Sequence, residues 1–199
     1  PLLCVGIHAG PLRKLEYGTA SGADYRSRGV LASRYTRFVT GELIPYIKNL
    51  FSDSILTDWA FAGFSLGGLS ALDITWSHPH IFRTAGVLSG SLWWMSLDKA
   101  DPRYRDEHHR LMHAAIRAGR YEPGLKFFFE CGTEDETEDR NHNGIIDSID
   151  DTRDLIGELM QKGYAPGKDI LYLEIPGGTH NPANWALAMT HFLKWAWGK

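Results

Sequence analysis

The sequence has 199 residues and a mass of 22.4 kDa, with 43% apolar, 23% charged and 12% aromatic residues. That is the length of one domain and the composition of a folded one, which excludes a largely disordered chain. Lys plus Arg number 21 and Asp plus Glu 24, a formal net charge of −3, so no basic excess points to nucleic acid, and no apolar run approaches the ~18 residues of a membrane helix.

Apolar, β-rich runs recur along the chain at residues 2–7, 59–64, 84–88, 125–131 and 170–175. Between them lie helical stretches. Residues 31–51 carry apolar side chains at helical period, with Pro45 an odd feature near the middle. Residues 66–76 are rich in Leu and Ala, 104–117 are charged and amphipathic, and 151–162 place Leu155, Ile156 and Leu159 on one stripe. Residues 185–197 close the chain with three tryptophans that read as packing. Strands alternating with helices predict parallel βαβ units and an α/β sheet. Cys4 and Cys131 both sit in apolar runs and read as small buried thiols, not as a disulfide framework or a zinc site.

The string Gly63-Phe64-Ser65-Leu66-Gly67-Gly68 follows a strand and opens a helix. It fits G-x-S-x-G, the turn that exposes a nucleophilic serine at the top of an α/β sheet. Gly63 and Gly67 let strand and helix approach without clashing side chains. The backbone N–H of Leu66, at the helix start, points to where an oxyanion would form. A glycine-rich turn with an N-capping serine is the plainer alternative.

A serine so placed needs an acid and then a base in chain order. His180, in Gly177-Gly178-Thr179-His180, follows the last strand and has a side chain suited to proton transfer near neutral pH. The strand before it ends in Gly132-Thr133-Glu134-Asp135-Glu136, and Glu138 follows. The acid must accept the base's N–H and hold its tautomer. Any of these four carboxylates could do so on spacing alone.

With these residues placed, the chain resembles the putative esterase family of the α/β-hydrolase superfamily, which includes esterase D, enterochelin esterase and feruloyl esterases. The match runs through Arg13 with Glu16-Tyr17, Glu42-Leu43-Ile44-Pro45-Tyr46-Ile47, the Ser65 turn, Ser89-Gly90-Ser91-Leu92-Trp93-Trp94, Gly132-Thr133-Glu134-Asp135 and Gly177-Gly178-Thr179-His180. It implies a three-layer sandwich around a mostly parallel sheet. It also selects Asp135 as the acid, from the family's G-T-x-D turn, and explains Pro45. Family members carry three strands before the one matching residues 2–7, and the third lies between the strands matching 2–7 and 59–64. The resemblance therefore implies that 1–199 is one domain forming the C-terminal part of a longer esterase, with the second oxyanion donor outside this chain. His8, in His8-Ala9-Gly10, follows the wrong strand for that role.

Residues 139–150 place oxygen side chains at positions 1, 3, 5, 9 and 12 of a twelve-residue loop, with glycine at 6: Asp139, Asn141, Asn143, Asp147 and Asp150 around Gly144. That is the grammar of an EF-hand loop, closest to dockerin loops in ending on Asp. The Ile145 carbonyl would complete the set. A solvated Asx-turn loop is the plainer alternative. A structural Ca²⁺ is expected, with Asp151 and Thr152 capping the exiting helix.

His109 and His113 lie four apart on a helix but lack the glutamate of a zinc protease motif, so they read as a surface pair. Trp93 and Trp94 follow a strand's C-terminal end, where α/β sheets bind ligands, and are candidates to line a substrate pocket. Residues 91–123 read as an insertion or lid. The expected function is carboxylic ester hydrolysis by Ser65, Asp135 and His180 through an acyl-enzyme, with Leu66 in the oxyanion hole and no cofactor for catalysis. The substrate would be a small-molecule or carbohydrate-linked ester, with no nucleic-acid or membrane partner. An acyltransferase with the same triad, or a non-catalytic calcium-dependent binding module, are the alternatives.

Overall fold

The computed structural model describes residues 2–51 and 57–198. The chain runs through helices α1 (Arg13–Glu16), α2 (Ala32–Phe38) and α3 (Ile44–Leu50), strand β1 (Ala60–Phe64), helix α4 (Leu66–Ser77), strand β2 (Thr84–Leu88), helices α5 (Asp106–His109) and α6 (Leu111–Ala118), strand β3 (Lys126–Glu134), helix α7 (Asp147–Lys162), strand β4 (Ile170–Thr179) and helix α8 (Pro182–Trp197). The four strands form one parallel sheet in the order β1-β2-β3-β4. Helices cover both faces, which is why every residue of β2 is buried and why these strands read as continuous apolar runs.

Pleating assigns the faces. Ala85 and Val87 of β2, with Phe127 and Phe129 of β3, pack with Leu69 and Leu72 of α4, Met112 and Ile116 of α6, and Leu155 and Leu159 of α7. The alternate residues face α8: the Phe128 and Phe192 rings meet edge-on at 5.5 Å. A side chain at Gly86 would press on the Phe192 ring, so glycine there lets α8 come close to β2. Asn181 caps α8 by accepting hydrogen bonds from the N–H groups of Ala183 and Asn184.

Pro45 has a visible cause. It follows a π-helical turn, Val39–Leu43, in which the Ile44 N–H reaches back five residues to the Val39 carbonyl. Proline lacks an N–H and its ring crowds the carbonyl four residues earlier, and a widened turn relieves both. The joined segment stays helical and buries Val39, Ile44 and Ile47.

Four expectations need correction, the last of them at His113. Residues 2–7 pair with no strand among the described residues. They lie across a 520 Å³ cleft from β1, and Leu2 is 49% and Val5 46% exposed. Cys4, carried on this segment, is exposed; Cys131 is buried as expected. Helix α7 begins at Asp147, so Asp151 and Thr152 are interior helix positions and not caps.

Asp151 instead anchors the polar core. Its carboxylate is buried and pairs with Arg110 at 2.8 Å and with Arg140. Arg140 also reaches Asp106 at 3.2 Å and Asp147 at 3.4 Å, and Arg110 reaches Asp154 at 2.9 Å. His113 is not a surface histidine. It is fully buried, donates Nε2–H to the Asp151 carbonyl at 2.9 Å, and is pushed down to about 3 by burial. The second half of segment 91–123 is thus fixed to α7 through Arg110, His113 and Arg117, whose Nε donates to Glu158 at 3.0 Å. Removing one partner of a buried pair leaves charge unpaired, at a cost of roughly 3–5 kcal/mol. Asp151→Ala should therefore lower stability by about that much in urea titration, whereas Asp101→Ala, which removes a surface pair with Arg103, should leave the midpoint nearly unchanged.

Candidate active site

Ser65 stands between β1 and α4 with φ 56° and ψ −123°, a backbone region that ordinary residues avoid. A side chain at Gly63 would collide with the Gly67 carbonyl, so strand and helix meet there as backbone on backbone. The Ser65 N–H donates to the Leu88 carbonyl at 3.0 Å. The Ser65 carbonyl accepts from the N–H groups of Gly68 (3.0 Å), Leu69 (3.2 Å) and Ser91 (3.1 Å). The Leu66 N–H, at the first position of α4, has no carbonyl of its own helix to reach. The Ser65 hydroxyl is half-buried, 3.5 Å from that of Ser91.

The turn after β3 separates the four candidate acids. Asp135 folds back so that its Oδ2 accepts the Gly132 N–H at 3.0 Å, while its Oδ1 is buried with no hydrogen-bond partner. Glu136 accepts the Ser148 N–H at 2.6 Å, and Glu138 is exposed and paired with Lys99 at 2.8 Å. Glu134 is exposed. Asp135 alone of the four presents a buried oxygen open to a further donor.

The acid turn and the base loop interlock. A side chain at Gly132 would collide with the Gly178 carbonyl, and one at Gly178 would come within 3.0 Å of the Gly132 Cα. The Gly177 N–H donates to Thr133 Oγ1 at 2.8 Å, and Gly177 has φ 67°. These contacts bring the His180 loop onto the Asp135 turn. The His180 ring is exposed and stands edge-on to Trp185 at 5.0 Å. Ser65, Asp135 and His180 thus follow the C-terminal ends of β1, β3 and β4, although among the described residues no hydrogen bond joins the three side chains.

Sequence reasoning missed three residues here. Trp185, read as packing, stacks on Phe64 at 5.1 Å and donates its indole N–H to Ser89 Oγ at 2.9 Å, so it bridges the residue before the serine to the His180 loop. Its position five residues after His180, in the first turns of α8, was the available signal. Ser89 is buried with φ 44°, and Glu130 is buried inside β3, where it was hidden in an apolar run. The two candidate pocket tryptophans part company. Trp94 is fully buried against Gly18 and Gly29, a core residue and not a pocket wall. Trp93 is half-buried under the Arg28 guanidinium, 4.6 Å from its ring, and lines a 300 Å³ cavity with Tyr25, Arg26 and Lys99.

In the 139–150 loop the side chains of Asp139, Asn141, Asn143 and Asp150 converge. Asp150 Oδ2 accepts from the Asn141 and Asn143 amides at 3.0 and 2.7 Å, and Asp139 accepts the N–H groups of Asn143 and Gly144 at 3.2 and 2.9 Å. Asp147 turns elsewhere. Its Oδ1 accepts the Arg140 N–H at 2.8 Å and its Oδ2 faces the Arg140 guanidinium. Among the described residues no three His, Cys, Asp or Glu side chains form a cluster that could hold an ion.

A family model described as "Putative esterase" matches residues 2–196. No curated protein matches the chain. Among solved structures, an enterobactin esterase from Shigella flexneri superposes with a TM-score of 0.61 at 24% identity, over 83% of this chain and 38% of that one. The siderophore hydrolase EstB from Aspergillus nidulans gives 0.58 at 18% identity, over 83% and 58%. A ferulic acid esterase gives 0.53 at 16% identity, over 81% and 60%. The chain thus shares their fold and spans well under two thirds of each.

The contact between Gly132 and Gly178 can be tested by stability alone. Gly132→Ala must displace backbone and should cost about 1–3 kcal/mol in denaturant midpoint. Gly157→Ala, in open space within α7, should be neutral or stabilising by up to about 1 kcal/mol. Equal effects of the two would show that the loops are not locked at Gly132.

Proposed function

The chain belongs to the putative esterase family, and from that premise we propose that it hydrolyses carboxylic esters through an acyl-enzyme on Ser65. The observation that carries this reading is the pairing of two features at one end of the sheet. One is a serine held in a strained turn; the other is a carboxylate with a buried open oxygen, locked to the loop of the histidine. Ser65 Oγ attacks the ester carbonyl while His180 removes its proton, and Asp135 Oδ1 accepts the imidazole N–H. For this the exposed His180 ring swings from Trp185 toward Asp135, in keeping with the loose catalytic contacts of enzymes without substrate. The Leu66 N–H meets the oxyanion, and a structure of the phosphonylated serine would identify the second donor. His180 then protonates the leaving alcohol and activates water. The relatives named for enterobactin, siderophore and ferulic acid esters support a small-molecule ester as substrate.

Ser65→Ala should abolish hydrolysis of short aryl esters and labelling by a fluorophosphonate, with little change in melting temperature. Asp135→Asn should lower kcat by around 10⁴-fold, as replacement of a triad acid does, whereas Glu134→Gln, Glu136→Gln and Glu138→Gln should cost far less. Retained turnover in Ser65→Ala would sink the nucleophile. Transfer of the acyl group to an added sugar in place of water would identify an acyltransferase, and an unlabelled parent protein a binding module.

We propose further that residues 139–150 hold a structural Ca²⁺. The donor set fits in part. Asp139, Asn141, Asn143 and Asp150 already gather, the Ile145 carbonyl would add a ligand, and the ninth position of such loops commonly binds through water, which suits the displaced Asp147. Such an ion would brace the segment beginning four residues after Asp135. Ion binding to the folded state alone would add about 2.7 kcal/mol at one hundred times Kd. Chelation should lower the melting temperature, and Asp150→Ala should remove that response along with the calorimetric heat of calcium binding. A melting temperature indifferent to chelator, with no heat on calcium addition, would leave the loop held by its own Asx turns.

A further inference from the structure

Strand β3 carries a carboxylate where a strand covered on both faces normally holds an apolar residue. Glu130 is level with Leu88 of β2 and Leu173 of β4. It is 1% exposed, and neither of its carboxylate oxygens has a hydrogen-bond partner. Its alternation with Phe128 puts it on the α8 face, the face on which Phe64 stacks against Trp185. Through Leu88 it is level with Phe64, the last residue of β1 before Ser65, and it lies four residues short of Glu134, which pairs with Thr179 at the end of β4.

The groups around it are few. Just after β2 comes Ser89, whose N–H donates to the Glu130 carbonyl at 2.8 Å and whose Oγ accepts the Trp185 indole N–H from α8. From β4 the level partner is the apolar Leu173. The charged neighbour is Asp135, on the turn just beyond β3, and its Oδ1 is also buried and without a partner. Three carboxylate oxygens are thus buried without a partner toward this end of β3, and none of the groups just named is a cation. Burial first, and the Asp135 charge second, push Glu130 up to about 7. A buried carboxyl near a like charge keeps its proton to higher pH than an exposed one.

We infer that Glu130 is a positioning residue of the triad, whose buried carboxyl holds a proton beside the Asp135 turn and so sets the negative charge against which His180 works. The inference rests on Asp135 and His180 acting as acid and base. With the proton in place the pair carries one charge, which orients the imidazole. When Glu130 gives that proton to solvent, a second negative charge appears next to Asp135. It stabilises the imidazolium and delays the neutral base to higher pH. The sign follows: a variant that cannot ionise at 130 should reach its active form at lower pH than the parent.

Two measurements test this. In the kcat/KM profile, Glu130→Gln should keep the plateau within a few-fold and move the acid limb down by about one pH unit, the size expected for a second charge at short range in a partly buried site. In carboxyl carbon NMR of the Ser65→Ala protein, which needs no change at 130, the Glu130 signal should titrate well above the ordinary glutamate range, and Asp135→Asn should lower its midpoint. A Glu130 signal in the ordinary range, or a midpoint indifferent to Asp135→Asn, overturns the proton held on Glu130 beside Asp135. If Asp135→Asn abolishes activity while the Glu130→Gln profile superimposes on the parent's, the triad stands and the role of Glu130 falls. If Asp135→Asn stays active, the triad reading fails, and the NMR coupling alone reports whether the carboxyl pair exists. Loss of activity in Glu130→Gln as deep as that predicted for Asp135→Asn would make Glu130 itself the triad acid and overturn the positioning role.

Discussion

The arrangement depends on two places where backbone touches backbone with no side chain between. At the first, Gly63 meets Gly67 and the chain turns from β1 into α4 within one residue, Ser65. At the second, Gly132 meets Gly178 and the turns after β3 and β4 are pressed together. A methyl group at Gly63 or Gly132 would occupy space that a carbonyl already fills. Close packing tolerates no such overlap, so the main chain would have to move. The glycines therefore set where the serine and the two loops sit, and side chains such as Asp135 and His180 are carried to their places by that main-chain geometry.

Buried charge is the second organising element. Asp151, Arg110 and Arg140 tie α6 and the 139–150 loop to α7, and none of these links is local in sequence except that between Arg140 and Asp151. Arg140 occupies the second position of the proposed calcium loop and binds Asp147, its ninth. The guanidinium thus neutralises one carboxylate that the ion would otherwise take, and leaves Asp139 and Asp150 as the charged pair facing the loop interior. The proposed ion would then meet two carboxylates and two amides, the donor set of a weaker, extracellular-type calcium module.

How much of this could be read from the sequence differs residue by residue. The four paired strands and the Ser65 turn were legible because each is written in local terms: apolar runs of strand length, and glycines at fixed offsets from a serine. The choice of Asp135 was not local; it came from the resemblance, and the structure adds that its neighbours are occupied or exposed. Asp151 looked like a helix cap because an Asp-Thr pair before an apolar stripe favours that reading. The two arginines that bury it come from 41 and 11 residues away. Residues 2–7 have the composition of a strand, yet a strand is defined by its partner. Trp93 and Trp94 are indistinguishable as a dipeptide, and only Gly18 and Gly29, far upstream, decide which of them is enclosed.

The nucleophile sits at the end of β1, the strand whose outer edge faces the cleft lined by residues 2–7. Exposed Leu2, Leu3, Val5 and Phe64 line that cleft, and among the described residues no strand pairs with that edge, which leaves its backbone groups open to further pairing. The Ser65 turn does not depend on how that edge is covered. Its N–H is held by Leu88, its carbonyl by Ser91 and the first turn of α4, and its glycine contact lies within the β1–α4 unit. Each of these restraints comes from β2, from the loop after β2 or from α4. The cost of a serine at positive φ is of order 1–3 kcal/mol, and the three hydrogen bonds that reach its carbonyl, together with the one from its N–H, are enough to hold it. Cover on the open side of β1 bears on the stability of the sheet and on the second oxyanion donor, whereas the backbone that aims the nucleophile is set from the closed side.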